Sequence, residues 1–277
     1  MKAINHHFKS FFMLLLFSCA SIYAQQDQQP YVSVTTMHWN LDLEDFSNDE
    51  WLAVEKEYHE KVTSKNEHIL SASVLRHYLT DDSSEVVFVT VFGTWEAFEL
   101  ASKRTNELIE QGWPNEEERK AFFKKRGKYY ANEHSDEIYR SIPGANRLED
   151  EELPLFYYVK TSYFSFPEDG TNKEFSELLD QYNKAVTHQN QYYKAYYPQV
   201  HFYGQDRTEF VEVFLTETLA SLEKGLSEQG VLFRAHWADV NEREAFIAKF
   251  DKYFTGKHND RIYSSVPELY KPMPAEE

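Results

Sequence analysis

The stretch HSDEIYRSIP, His134 to Pro143, returns as HNDRIYSSVP from His258 to Pro267, 124 positions further on. Working outward at that offset without gaps, 14 of the 31 residues from Trp113 to Pro143 are identical in the second copy. Among them are Trp113/Trp237, Arg119/Arg243, Phe122/Phe246 and Tyr129/Tyr253. Further upstream the same offset aligns Tyr58/Tyr182, Val62/Val186, Thr63/Thr187, Asn66/Asn190, His77/His201 and Val87/Val211. One register held over that distance marks a tandem duplication, two copies rather than a solenoid array. The copies span 31–143 and 155–267, with a polar linker at 144–154 and a loose tail over 268–277.

Each copy predicts the same elements. A strand (YVSVTTMHWNL or FYYVKTSYFSF) precedes a helix opened by Ser47-x-x-Glu50 or Thr171-x-x-Glu174, both capping-box patterns. Two strands follow, SASVLRHYL and EVVFVTVF, or YKAYYPQVHFY and EFVEVFL, separated by turn residues. A second helix begins at Thr94 or Thr218 and a third at Asn115 or Asp239, with Trp113 and Trp237 anchoring the turn between them. The third helix is expected to end where Asn132 aligns with Gly256, residues suited to a left-handed C′ position, before a short last strand.

The order β-α-β-β-α(α)-β is the ferredoxin-like unit, an α+β fold whose sheet has one face covered by helices and one bare. Two copies can cover each other's bare faces as an intrachain pseudo-dimeric barrel. In element order and duplication the chain resembles the dimeric α/β-barrel superfamily. That group includes antibiotic-biosynthesis monooxygenases, stress-responsive A/B-barrel proteins and the haem-bearing chlorite dismutases, the last also fused duplicates. The resemblance implies a fold; it rests on no catalytic motif.

The third strands suggest which face looks where. Val87, Val89 and Val91, with Val211, Val213 and Leu215, form apolar rows expected to pack on the helices. The mixed rows, Phe88, Thr90, Phe92 and Phe210, Glu212, Phe214, Thr216, are then expected to face the other sheet. A carboxylate among phenylalanines needs a partner or water. Glu212, which aligns with Phe88, therefore points to a ligand site, with His201 or Lys160 as its compensating group and His77 as the counterpart of His201. A satisfied core imidazole is the plainer account of His77 and His201, and a haem ligand an alternative by resemblance. His134 with Asp136, and His258 with Asp260, read as loop-locking pairs, with an acid/base or metal role as the alternative. No metal site is predicted, because no third ligand at a characteristic spacing accompanies them.

Lys2, Lys9 and the apolar run ending at Ala24 make residues 1–24 a secretory signal, too short to span a bilayer. Lipid anchoring through Cys19 is the alternative. Cys19 is the sole cysteine, so the mature chain has neither disulfide nor thiol chemistry. Without the signal, 27 basic residues stand against 46 acidic ones, a net charge of −19 that disfavours nucleic acid. No phosphate loop, nucleophile elbow or zinc-protease motif occurs, and no cofactor is predicted. The 45 aromatic residues suit a small apolar or aromatic ligand. Three readings result: a secreted or periplasmic small-molecule-binding barrel, a cofactor-independent enzyme of the monooxygenase or isomerase kind, and a pocketless interaction module. Further homo-oligomerisation is compatible with each.

Overall fold

A computed structural model describes residues 29–148 and 154–274; the signal and Cys19 lie outside them. The first copy contains β1 (Tyr31–Trp39), α1 (Asn48–Tyr58), β2 (Ser71–Leu79), β3 (Glu85–Phe92), α2 (Trp95–Gly112), α3 (Glu116–Gly127) and β4 (Tyr130–Ser141). The second contains β5 (Phe156–Phe164), α4 (Asn172–Ala185), β6 (Ala195–Tyr203), β7 (Glu209–Thr216), α5 (Leu219–His236), α6 (Val240–Asp251) and β8 (Phe254–Ser265).

Helix starts fall where the side chains can cap them. Ser47, Thr94, Asn115, Thr171, Thr218 and Asp239 each accept a hydrogen bond from an amide of the first turn. The repeated tryptophans also have a local cause. Trp113 lies 4.1 Å from Phe122 between ring centroids, and Arg119 donates to its carbonyl at 2.9 Å. Trp237, Phe246 and Arg243 repeat this at 4.2 and 2.8 Å. Asn66 and Asn190, both buried, donate to the carbonyls of Ala101 and Gly225 and tie the α1–β2 and α4–β6 connections to α2 and α5.

The strands close in the order β1-β3-β2-β8-β5-β7-β6-β4, every neighbour antiparallel. Each half contributes a four-stranded sheet, and the seams β2–β8 and β4–β6 join the halves edge to edge. No free sheet edge remains in the ring. In an alternating ring of eight, strands four places apart run the same way. The two halves are therefore related by a pseudo-twofold along the barrel axis, and β3 and β7 begin at the same mouth.

Two expectations need correction. The third helices stop at Gly127 and Asp251, and Asn132 and Gly256 lie inside long last strands. Gly256 has φ of 78° at a bulge, where β5 and β8 change register between Ser162 and Phe164. A left-handed glycine serves a bulge as readily as a helix end. The second correction concerns the faces. The valine rows point into the barrel, while Phe88, Phe92, Phe210, Glu212 and Phe214 look toward the helices. Side chains converge in a narrow eight-stranded lumen, and short β-branched residues fit there. Both faces are buried, so alternation separates them without saying which is which.

The segments after β4 and β8 cross the mouth opposite Glu85 and Glu209. Asn146 exchanges backbone hydrogen bonds with Tyr196, and Lys271 does so with Ala72. The second copy's end thus docks on the first copy's β2.

Candidate functional site

The barrel encloses a cavity of about 700 Å³. Its waist is a belt of valines from all four of the strands β1, β3, β5 and β7, including Val34, Val89, Val159 and Val213. Ala145, Arg147, Leu148, Tyr270 and Met273, from the crossing segments, line one end. The other mouth, where β3 and β7 begin, is polar.

Two tyrosine–glutamate pairs build that mouth, related by the 124-residue repeat. Tyr139 on β4 reaches Glu209 at the start of β7, its hydroxyl 2.7 Å from Oε2. Tyr263 on β8 reaches Glu85 at the start of β3 at 3.1 Å. The pairs differ in one neighbour. Beside Tyr139 stands Glu137, whose Oε2 is also 2.7 Å from the hydroxyl. The aligned residue is Arg261, close to Tyr263 and Glu85 and 3.4 Å from Asp81.

A tyrosine hydroxyl has one proton and cannot donate to two carboxylates. Both contacts are hydrogen bonds only while one carboxyl is protonated, and Glu137, Tyr139 and Glu209 then hold two protons among three groups. Glu209 responds accordingly: burial, opposed by the bond to Tyr139 and reinforced by the charge of Glu137, pushes it up to about 7. Burial and the two carboxylates raise the Tyr139 hydroxyl well above its ordinary value. At the other pair, burial draws the Arg261 guanidinium down, but Tyr263 and Glu85 outweigh it and the net shift is upward.

Of the residues singled out in the sequence, Glu212 and Lys160 meet. Nζ of Lys160 is 3.2 Å from Oε2 of Glu212, and Tyr196 donates to Oε1 at 2.9 Å. This cluster lies under the second copy's helices. His201 is on the opposite face of its sheet, on the row of Gln199, beside Tyr139 across the β4–β6 seam. The expected Glu212–His201 pair is therefore not formed, because Pro198, not His201, lies opposite Glu212 in the β6–β7 register. His77 bonds Thr80 Oγ1 at 2.8 Å in the following turn. Neither histidine is part of the cavity lining, although His201 stands beside Tyr139 at its edge.

The His–Asp pairs stand on strands, not in loops. His134 and Asp136 are 3.3 Å apart and His258 and Asp260 are 2.9 Å apart, all on outward rows. The aspartates accept from neighbouring strands, Asp136 from Thr35 Oγ1 and Asp260 from Tyr158, each at 2.7 Å. The expectation of bonds to their own loop amides fails because β4 and β8 begin earlier than predicted. Among the described residues no cluster of three or more metal-ligating side chains occurs, and no helix is long and apolar enough to cross a membrane.

Glu85, Glu209, Tyr139 and Tyr263 were not singled out. The signal was present: all four are repeated at the 124-residue offset, and both tyrosines lie in the opening motif.

Among solved structures the chain is similar to a candidate monooxygenase of Fusobacterium nucleatum, with a TM-score of 0.55 and 12% identity over 87% of this chain and 94% of that one. A candidate monooxygenase of Lactobacillus acidophilus gives 0.53 and 7% over 89% and 97%. A candidate chlorite dismutase gives 0.50 and 13% over 87% and 96%. This is the dimeric α/β-barrel fold, with both halves in one chain. At such identities the likeness is one of fold alone. No family model and no curated protein matches the chain. A smaller cavity of about 360 Å³ lies between the first sheet and its helices. It is bordered by the buried Glu55, which Arg126 grips with two bonds of 2.8 and 3.0 Å.

Proposed function

We propose that this is an exported small-molecule-binding barrel whose ligand occupies the space between the two sheets. The observation that carries the reading is the valine-belted cavity of about 700 Å³ with a carboxylate-bearing mouth. A volume of that size suits a drug-sized apolar molecule, and a few placed polar groups suffice to orient it. Export is supported by the 24-residue leader pattern alone. Titration with the neutral fluorophore Nile red tests the binding reading. Val89→Trp together with Val213→Trp fills the belt and should abolish the fluorescence gain while circular dichroism stays unchanged. Undiminished binding by the filled variant would place the ligand elsewhere.

A second reading, a cofactor-independent enzyme, is favoured by Glu209, which at about 7 can take or give a proton inside a cavity. Solvent deuterium exchange into a carbon acid such as 2-indanone, lost in Glu209→Gln, would support it. Equal exchange with and without the protein would remove it.

A further inference from the structure

We propose that the interior site takes ligands with an apolar body and a protonated amine, the ammonium group replacing the proton shared by Glu137 and Glu209. This rests on the binding reading above and adds the chemistry of the head group. Three observations converge on it.

First, the cavity pairs an apolar waist with an acidic mouth. A ligand lying on the valine belt with one end at β3 and β7 brings that end to Glu137, Tyr139 and Glu209. Second, the trio is short of positive charge. Two carboxylates on one hydroxyl are tolerated because an extra proton sits among them. An ammonium carries three N–H donors and can serve both carboxylates and the tyrosine oxygen, after which the extra proton leaves. The carboxyl O–H bond breaks and its proton goes to solvent, no other covalent bond changes, and the net charge of the site is the same before and after.

Third, the other half of the mouth shows the completed arrangement. Tyr263 and Glu85 repeat Tyr139 and Glu209, and there the chain supplies its own cation. Arg261 occupies the position that aligns with Glu137. Duplication has left one tyrosine–glutamate pair with a cation and its twin with a second carboxylate. Glu137 and Glu209 each bond the Tyr139 hydroxyl and lie against one another.

The surrounding charges favour the same ligand. Facing the trio are Asp206 from the β6–β7 turn, Tyr163 from β5, Arg261 from β8 and His201 from β6. Glu85 and His38 stand across the mouth on β3 and β1. Arg261 lies beside Asp81 and Glu85, and His38 is 3.2 Å from Asp82. The balance is negative, so an anionic head group is repelled and a cationic one drawn in.

Because the ammonium displaces a proton, affinity should rise with pH, approaching tenfold per unit below about 7 and levelling above it. The test is calorimetry on the mature chain with 4-phenylbutylamine, 4-phenylbutanol and 4-phenylbutyrate, run at about pH 5.5 and about pH 8.5 in buffers of different ionisation enthalpy. Expected at about pH 8.5 is binding of the amine roughly ten- to a hundredfold tighter than the alcohol, as hydrogen bonds to charged groups give, with most of that preference lost at about pH 5.5. About one proton should be released per amine at the lower pH and almost none at the higher. Glu209→Gln and Glu137→Gln should each lose the amine preference and keep alcohol binding, which also reports an intact fold. Equal binding of amine and alcohol, or a preference that survives both substitutions, overturns the proposal and leaves the binding reading standing. If none of the three probes binds, the binding reading falls, and this one with it.

Discussion

The two halves of the barrel solve one packing problem in opposite ways. Under the first copy's helices, Glu55 is held by Arg126 through two hydrogen bonds, accepts from Tyr130 at 2.8 Å, and Tyr130 in turn accepts from Trp51 at 2.7 Å. At the aligned positions the second copy has Leu179, Phe250, Phe254 and Phe175. All four belong to one apolar cluster, with Phe250 and Phe254 5.5 Å apart between ring centroids. The second copy buries its own carboxylate elsewhere, at Glu212, where the first has Phe88. Neither ion pair is required by the fold. A buried pair can be exchanged for apolar residues of similar volume at little cost, whereas removing one partner leaves an uncompensated charge.

The sharpest way to break this comparison is to remove one partner. Arg126→Met should cost about 3–5 kcal/mol, because Glu55 stays buried without its guanidinium. Replacing all four first-copy residues by their second-copy counterparts (Glu55→Leu, Arg126→Phe, Tyr130→Phe and Trp51→Phe) should recover most of the loss. Urea midpoints at constant slope measure both. A quadruple variant no better than Arg126→Met would mean that the quartet is indispensable to the first half.

The mouth carries the second comparison, and pH reads it. Glu209 keeps its proton up to about 7 in the folded state, against an ordinary 4.5. Between those values the unfolded chain has lost a proton that the folded chain retains. Stability therefore falls as pH rises through that window and is highest below it. Glu209 is half-exposed, and solvent screening reduces the effect to about 1–2 kcal/mol. Glu209→Gln should flatten the slope, while Glu85→Gln, next to Arg261, should leave it in place. Thermal unfolding from about pH 4.5 to about pH 8 distinguishes the two.

What the sequence made legible follows from the range of each interaction. The caps at Ser47, Thr94, Asn115 and their partners involve one side chain and amides two or three residues away, so a short pattern contains the whole interaction. The duplication, the element order and hence the pseudo-dimeric barrel were legible because every element repeats. The contact of Glu212 with Lys160 was legible because a carboxylate among phenylalanines demands a partner and Lys160 lies directly opposite it. Facing was not legible. The lumen and the helix side are both apolar, and only barrel closure decides which row goes inward. The mouth was missed for a related reason. Glu85 begins a strand and its partner Tyr263 stands near the end of another 178 positions later, so their roles appear only when the ring closes.

Glu212 gives a smaller effect and separates structure from binding. It is buried beneath the second copy's helices, with Lys160 and Tyr196 as partners, on the side of the sheet away from the cavity. Glu212→Gln keeps an oxygen for Tyr196 and loses the charge for Lys160, so it should cost about 1 kcal/mol. Nile red binding should be unchanged. A large loss of binding would show that the helix-side space, not the lumen, holds the ligand.

The smallest effect belongs to the repeated motif itself. His134–Asp136 and His258–Asp260 are the same pattern, but the copies give the aspartates different surroundings. Asp136 is half-exposed and accepts from Thr35, a hydroxyl that water can replace. Asp260 accepts from Tyr158, whose ring is stacked 5.8 Å from Phe214, and it lies opposite Lys160 in the β5–β8 register. Burial, then the bond to Asp260, raises the Tyr158 hydroxyl, so this tyrosine stays a donor across the accessible pH range. Asp136→Asn should therefore change stability by no more than about 0.5 kcal/mol, as exposed pairs do. Asp260→Asn should cost roughly twice that, since the amide gives a weaker acceptor to a hydroxyl held between strand and helix. Equal effects at the two positions, measured in one urea series, would mean that the repeat is maintained by the strand positions alone and that Tyr158 adds nothing.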